Sequence, residues 1–282
     1  MQLSIAEALF EASQVLRTAG VPESRREAGS LLAHVIQKDR TFLISRAEEK
    51  LDSKALQDFR EVVKRRALGE PLQYITGHQD FYGRAFRVTP DVLIPRPETE
   101  LLVESALGLM NGSRFCDVGT GSGCIAVTLL CERSNSRGIG IDVSPAALVV
   151  AKENAIAQGV DQRIDFVVSD CFDSLPQGSP PFDLIVSNPP YVAAGVVAGL
   201  QREVKDHEPM VALTPGTDGL SIIRRLITEA SQFLRKDGHL LLEIGFDQGE
   251  SVSELVEGSK FHLLGIRPDL QGFPRIVILR RL

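Results

Sequence analysis

From Pro95 to the end of the chain, short apolar runs alternate with longer stretches of helical periodicity, and this alternation limits the fold more than any other feature. Residues 114–118, 138–143, 164–169, 183–187 and 239–244 read as strands. Residues 98–110, 123–132, 145–158, 218–235 and 248–257 read as the helices around them. Strand–helix–strand repetition of this kind predicts an α/β fold built on a doubly wound, mainly parallel sheet. The tail departs from it, because Phe261–Arg267 and Arg275–Leu279 have no helix between them and can pair as a hairpin.

Before Pro95 the rhythm is different. Ile5, Ala8, Leu9, Ala12 and Leu16 keep helical spacing, and Gly20 fits a helix C-cap. Further helices are expected near 24–36, 39–45 and 53–67, the last with Ser53 as its N-cap. Residues 70–95 carry Gly77, Gly83 and Pro90 among aromatic and β-branched residues, which reads as a β-hairpin. The expected organisation is a helical domain over 1–70, a β-hairpin linker over 71–95 and an α/β domain over 96–282.

Charge narrows the partners. Residues 1–85 hold 13 Lys and Arg against 12 Asp and Glu, whereas the remainder holds 18 against 25. An acidic α/β half argues against a large nucleic-acid footprint, which needs clustered basic residues. The near-neutral helical part suits a protein-docking module, or equally a structural cap. No leader-like or membrane-spanning apolar run stands out, and Cys116, Cys124, Cys131 and Cys171 lack CxxC spacing. Reduced core thiols in a cytoplasmic protein are expected, and the scattered histidines give no metal site.

The strand Phe115–Val118 runs into Gly119-Thr120-Gly121-Ser122-Gly123 and then into an apolar helix from Cys124. Glycines let a strand turn sharply into a helix while a ligand approaches the backbone. The next strand ends in Asp142, 19 positions after Gly123, where a carboxylate accepts hydrogen bonds from ribose hydroxyls. Asp142 could instead cap the following helix, although Ser144 is better placed for that. Compressed G-x-G-x-G spacing favours S-adenosylmethionine over a dinucleotide, whose fingerprint is G-x-G-x-x-G. The third strand ends in Ser169-Asp170-Cys171-Phe172, where Asp170 can bond the adenine amino group or simply serve the turn.

The fourth strand runs into Asn188-Pro189-Pro190-Tyr191. Two prolines fix the local shape and remove two backbone donors. The Asn188 and Pro189 carbonyls can then accept both hydrogens of one NH₂ group, and Tyr191 offers a face for a planar group. An amide nitrogen is a poor nucleophile, so two acceptors that orient it and push electron density towards it supply the catalysis needed. The reading of the residues is therefore methyl transfer to an amide or amine nitrogen.

On these motifs the chain resembles the release-factor glutamine N5-methyltransferases, the HemK or PrmC family, along nearly its whole length. Asp117 to Gly123, Asp142, Asn188 to Tyr191 and Leu240 to Gly245 carry the match in the α/β half. Ala19 to Val21, Leu31 to His34 and Gly69 to Tyr74 carry it in the helical half, and Val92 to Glu100 is the most distinctive segment. The resemblance implies a Rossmann-like class I methyltransferase sheet with a small N-terminal helical domain joined by a β-hairpin. It implies methylation, in the cytoplasm, of the Gly-Gly-Gln glutamine of peptide-chain release factors, modulating translation termination. S-adenosylhomocysteine would be the product, with no membrane and no direct nucleic-acid contact.

By the same resemblance Gly119, Thr120, Gly121, Ser122, Gly123 and Asp142 bind the cofactor, with Asp170, Cys171 and Phe172 at its adenine. Asn188 touches cofactor and substrate, and Asn188 to Tyr191 hold the target amide. Cys171 stands where many relatives carry Trp, a departure at the adenine. Competing readings are a glutamine methyltransferase of a ribosomal protein, an adenine-N6 DNA methyltransferase acting on a flipped base, and an idle cofactor-binding scaffold.

Overall fold

The structure is a computed structural model that describes residues 3–176 and 178–282. It divides into two compact units, Met1–His78 with Gln201–His207, and Gln79–Leu200 with Glu208–Leu282.

The first unit is built from α1 (Ile5–Thr18), α2 (Ser24–Ile36), α3 (Arg40–Ser45), α4 (Ser53–Ala67) and α5 (Leu72–Thr76). A capping box starts α1: Ser4 Oγ accepts from the Glu7 amide at 3.2 Å, and the Glu7 carboxylate accepts from the Ser4 amide at 2.7 Å. Such reciprocal caps satisfy amides that a first helical turn leaves without partners. Leu16, Leu31, Leu32 and Phe59 meet in the core. The cap of α4 lies one residue earlier than expected, with the Asp52 carboxylate accepting from the Ala55 amide at 2.7 Å. A carboxylate there also meets the positive end of the helix dipole, which Ser53 would not exploit as well. The unit is completed from far along the chain. Glu203 lies 3.0 Å from the guanidinium of the buried Arg66, which also pairs with Glu27.

A hairpin follows, β1 (His78–Phe81) and β2 (Arg84–Arg87), all of it but His78 in the second unit, and its Phe81 and Phe86 sit edge to face in the core. The hairpin ladder is thus confined to 78–87, and residues 72–76, expected within it, form α5 instead. Beyond it come α6 (Glu100–Leu107), β3 (Arg114–Val118), α7 (Cys124–Glu132), β4 (Arg137–Asp142), α8 (Pro145–Ala157), β5 (Ile164–Val168) and β6 (Phe182–Ser187). The chain later adds β7 (Leu234–Glu243), β8 (Phe261–Pro268) and β9 (Pro274–Arg281).

These last seven strands form one sheet in the order β5-β4-β3-β6-β7-β9-β8. β5, β4, β3, β6 and β7 run parallel, and β9 is antiparallel to both β7 and β8. The doubly wound sheet and its hairpin tail are as the alternation predicts. One helix is shorter than expected: it covers Ser221–Glu229, and Leu234 already starts β7 because it is paired and buried opposite Phe182.

The strand order fixes where a ligand can sit. From β3 the chain winds to β4 and β5 on one side, then returns to β6 and β7 on the other. Val118 of β3 is in register with Ser187 of β6, so Gly119 and Asn188 leave the sheet side by side. Crevices beyond the carboxyl ends of strands at such a switch point are where open α/β sheets bind ligands.

Candidate active site

A cleft of about 400 Å³ opens at this switch point, lined by the ends of β3, β4 and β6 and by residues 91–99 and 209–215. That volume suits a ligand of nucleoside size.

The glycine turn is pinned to the neighbouring strand, since the amides of Gly119 and Thr120 both donate to the Ile141 carbonyl, at 2.8 and 3.0 Å. Gly119, Gly121 and Gly123 all have positive φ, 71°, 54° and 79°, a conformation that other residues adopt at a cost of about 1–2 kcal/mol each. A Cβ at Gly119 or Gly121 would meet nothing within 4 Å, so the turn borders open cleft. Beneath it Asp117 is completely buried, accepting from Thr120 Oγ1 at 2.7 Å and the Ala126 amide at 3.3 Å. Burial pushes this carboxyl up to about 7, against the pull of those two hydrogen bonds.

Asp142 closes the cradle. One carboxylate oxygen accepts from the Gly121 amide and the other from the Ser144 amide, each at 2.9 Å. Ser144 caps α8 through the Ala147 amide at 3.2 Å, so Asp142 is free of that duty. Burial raises the Asp142 carboxyl, opposed by its backbone hydrogen bonds. Each carboxylate oxygen retains a second lone pair, and Asp142 lines the cleft. Open glycine backbone beside a two-oxygen acceptor fits an adenosyl ligand with a ribose diol.

The three residues expected at the adenine part company. Asp170 lines the cleft, but its carboxylate is 60% exposed and pairs with Arg225 at 2.7 Å. Cys171 also lines the cleft, at a left-handed φ of 46°, and burial pushes its thiol up to about 11. Phe172 is turned away into the core and stacks on Phe233 at 4.9 Å. It is not among the residues that line the cleft. Val143, half exposed on the cleft wall next to Asp142, is an apolar surface that sequence reading did not single out.

At the end of β6, Asn188 lines the cleft with Pro189 and Pro190. Asn188 Nδ2 donates to Thr99 Oγ1 at 3.0 Å, and among the described residues its carbonyl oxygen accepts no hydrogen bond. Tyr191 is placed differently from its neighbours. Its ring packs on the core, and its hydroxyl lies 3.4 Å from Glu243 Oε1, rather than lining the cleft. Burial raises the Tyr191 phenol far above its ordinary range, and the Glu243 carboxylate adds to this. Gln248 Nε2 donates to the Tyr191 carbonyl at 3.0 Å, while its Oε1 accepts from the Gly245 amide at 2.9 Å. Gly219 lies so close that a Cβ there would stand 2.4 Å from the same Tyr191 carbonyl. Across the cleft Glu208 is buried and holds Arg96 at 2.6 Å and the Ile94 amide at 3.4 Å, fastening the 91–99 segment.

Thr99 lines the cleft, and Glu243, Gln248 and Glu208 bond segments beside it, although residue-level reading did not assign them. For Glu243 a signal existed, because a carboxylate directly after the apolar Leu240, Leu241 and Leu242 of a strand calls for a specific partner. The others are polar residues in loops, with nothing local to mark them.

Comparison with known proteins identifies the family. A family model described as the PrmC N-terminal domain matches residues 7–77, and one described as a methyltransferase domain matches residues 109–260. A relative from Cereibacter sphaeroides, described as a release factor glutamine methyltransferase, is 46% identical over 275 residues, covering 98% of each chain. Another of the same description, from Nitratidesulfovibrio vulgaris, is 43% identical, covering 97% of this chain and 94% of its own. Among solved structures, a methyltransferase from Pyrococcus furiosus superposes with a TM-score of 0.53 at 16% identity, over 71% of this chain and 90% of that one. That likeness concerns the fold alone.

Proposed function

The chain belongs to the family of release factor glutamine methyltransferases, and we propose that it moves a methyl group from S-adenosylmethionine to the side-chain amide nitrogen of the Gly-Gly-Gln glutamine in peptide-chain release factors. The observation that carries the acceptor side is the Asn188–Thr99 hydrogen bond. It commits the Asn188 NH₂ group and leaves the carbonyl to take an incoming N–H, beside two prolines that have no N–H to compete.

Gly119 to Gly123 and Asp142 would hold the cofactor, with Asp170, Cys171 and Val143 at its adenine end. When bound, S-adenosylmethionine supplies an electrophilic methyl group with a neutral thioether as leaving group. The protein's part is to position the acceptor: Asn188 Oδ1 and the Pro189 carbonyl take the two amide hydrogens and fix the plane of the glutamine amide. Holding both hydrogens raises electron density on nitrogen, and a preset geometry removes reorganisation from the barrier. Pro190 stiffens this acceptor edge. Tyr191, anchored through its hydroxyl and its carbonyl, keeps the tetrapeptide from shifting. Residues 1–78 would dock the protein substrate.

The deciding experiment incubates the enzyme with methyl-labelled S-adenosylmethionine and, separately, a release factor, the same factor with its Gly-Gly-Gln glutamine replaced by Ala, ribosomal protein, and DNA. Label on the first alone is the expected result. Label on ribosomal protein or DNA but not on the release factor overturns the proposal.

A further inference from the structure

Glu243 is the last residue of β7 and completely buried, yet it has no ion-pair partner among the described residues. Its Oε2 has no hydrogen-bond partner among them either, and its Oε1 is met by the Tyr191 hydroxyl. As a core residue it is a poor choice, because an apolar side chain of similar size would fill the place without the desolvation of a carboxylate. A buried polar atom left unsatisfied calls for an explanation in function. The groups facing it come from every element around it: Thr99 and Glu98 before α6, Tyr191 after β6, Arg275 at the start of β9 and Cys124 at the start of α7. Only Thr99 and Tyr191 present hydroxyls, and each of them leads to the acceptor tetrapeptide.

We propose that Glu243 is a positioning residue that, when ionised, sets the direction of the hydrogen bonds running through Thr99 to Asn188 and through Tyr191, and so turns the Asn188 carbonyl towards the substrate amide. The inference rests on the proposed reaction for its substrate. Its logic is donor counting. A hydroxyl has one hydrogen. An ionised carboxylate accepts only, so both hydroxyls give their hydrogens to Glu243, and Thr99 Oγ1 is left with lone pairs alone. Asn188 can then meet Thr99 only with its NH₂ group, as observed, and its carbonyl faces the other way. A protonated Glu243 carries a donor of its own. It can donate to Thr99, releasing the Thr99 hydrogen to the Asn188 carbonyl and allowing the amide to turn over.

Burial pushes the Glu243 carboxyl up to about 7, with Thr99, Arg275 and Tyr191 pulling it down and Glu98 pushing it up. The ionised, productive arrangement is therefore gained as pH rises through neutrality. Turnover falls on the acid side of this range.

The test compares wild type with Glu243→Gln, Thr99→Val and Thr99→Ser. Two readouts are taken: the pH profile of kcat on a release factor, and the pH titration of the Asn188 side-chain NH₂ signals in a nitrogen-15 spectrum without cofactor or substrate. In wild type both should titrate with a common midpoint near neutrality. In Glu243→Gln, which cannot ionise and carries an NH₂ donor where the protonated acid carries its O–H, both titrations should vanish. Its kcat should drop by about 10- to 100-fold with unchanged cofactor affinity. Thr99→Val should behave like Glu243→Gln and Thr99→Ser like wild type, which decides the matter even if the Gln variant does not fold. A Glu243→Gln protein with wild-type kcat and acid limb, or a Thr99→Val protein equal to Thr99→Ser, overturns the inference. Absence of any methylation of release factor by wild type overturns the reaction instead, and the spectroscopic titration still decides the role of Glu243.

Discussion

Asn188 and Thr99 lie 89 residues apart and meet through one hydrogen bond, Nδ2 to Oγ1 at 3.0 Å, which orients the Asn188 side-chain amide on the cleft wall. Thr99 is itself almost fully buried, so the Asn188 side chain is held from a rigid floor. The expected effects of disturbing this and its neighbouring contacts can each be measured.

Replacing Asn188 with Ala removes one of two acceptors for the substrate amide. Turnover on a release factor should fall by about 10²-fold or more, the size of effect seen when a single preorganised polar group is lost. Calorimetric affinity for S-adenosylhomocysteine should change little. Wild-type turnover in this variant would remove Asn188 from the chemistry.

Asp142 and Asp170 should contribute unequally to cofactor binding. Asp142 is tied to the Gly121 amide and faces the cleft, so Asp142→Ala should weaken S-adenosylmethionine binding by about 10- to 100-fold. Asp170 is largely exposed and spends its charge on Arg225, a surface pair worth at most about 1 kcal/mol. Asp170→Ala should therefore cost less than about tenfold in affinity. The reverse ranking in a binding titration would mean that adenine recognition depends on the Asp170 carboxylate.

Gly219→Ala should press a new methyl group against the Tyr191 carbonyl at a position whose φ is already +72°. The expected outcome is a loss of about 1–3 kcal/mol in stability and a drop of about tenfold or more in kcat. Gly258→Ala, at a φ of +74° where a Cβ meets nothing within 4 Å, is the matched control. Equal behaviour of the two variants in urea melts and turnover would show that the close approach is unimportant.

Stability should depend on pH through Asp117. Burial pushes this carboxyl up to about 7 in the folded chain, whereas an unfolded Asp titrates near 3.9. Between those values the folded chain retains a proton that the unfolded chain has released. The stabilisation is complete below about pH 4 and is lost as pH rises through about 7. Urea melts of Asp117→Asn across pH 5 to 7 should decline less steeply than wild type, by about 1.4 kcal/mol per pH unit. Glu243 acts in the same direction, so the slope should not vanish. Parallel slopes for the two proteins would contradict the assignment.

The helical unit should matter for protein substrate more than for cofactor. A truncation should end at His78 rather than further on, because Phe81 and Phe86 belong to the core of the α/β unit. A chain lacking residues 1–78 should show a raised apparent KM for release factor, with S-adenosylmethionine affinity retained. An unaltered KM would remove the docking role.

Much of this protein was legible in one dimension. Strand and helix order follow from apolar periodicity, and the glycine turn, Asp142 and Asn188 to Tyr191 are contiguous motifs at strand ends, where a parallel sheet places its ligands. Local sequence could not reveal which way a side chain turns once packed. Phe172 follows a left-handed Cys171 into the core instead of facing the cleft. Tyr191 spends its hydroxyl on Glu243, and the segment 201–207 packs with the helical unit because the buried Arg66 needs Glu203. The sequence alone determined the kind of sheet and which motifs lie at the carboxyl ends of its strands, since both depend on periodicity and on backbone chemistry within a few residues. Only the tertiary structure decided how Asn188 is oriented, because its side-chain amide is held by Thr99, a partner brought from 89 residues away into a buried place.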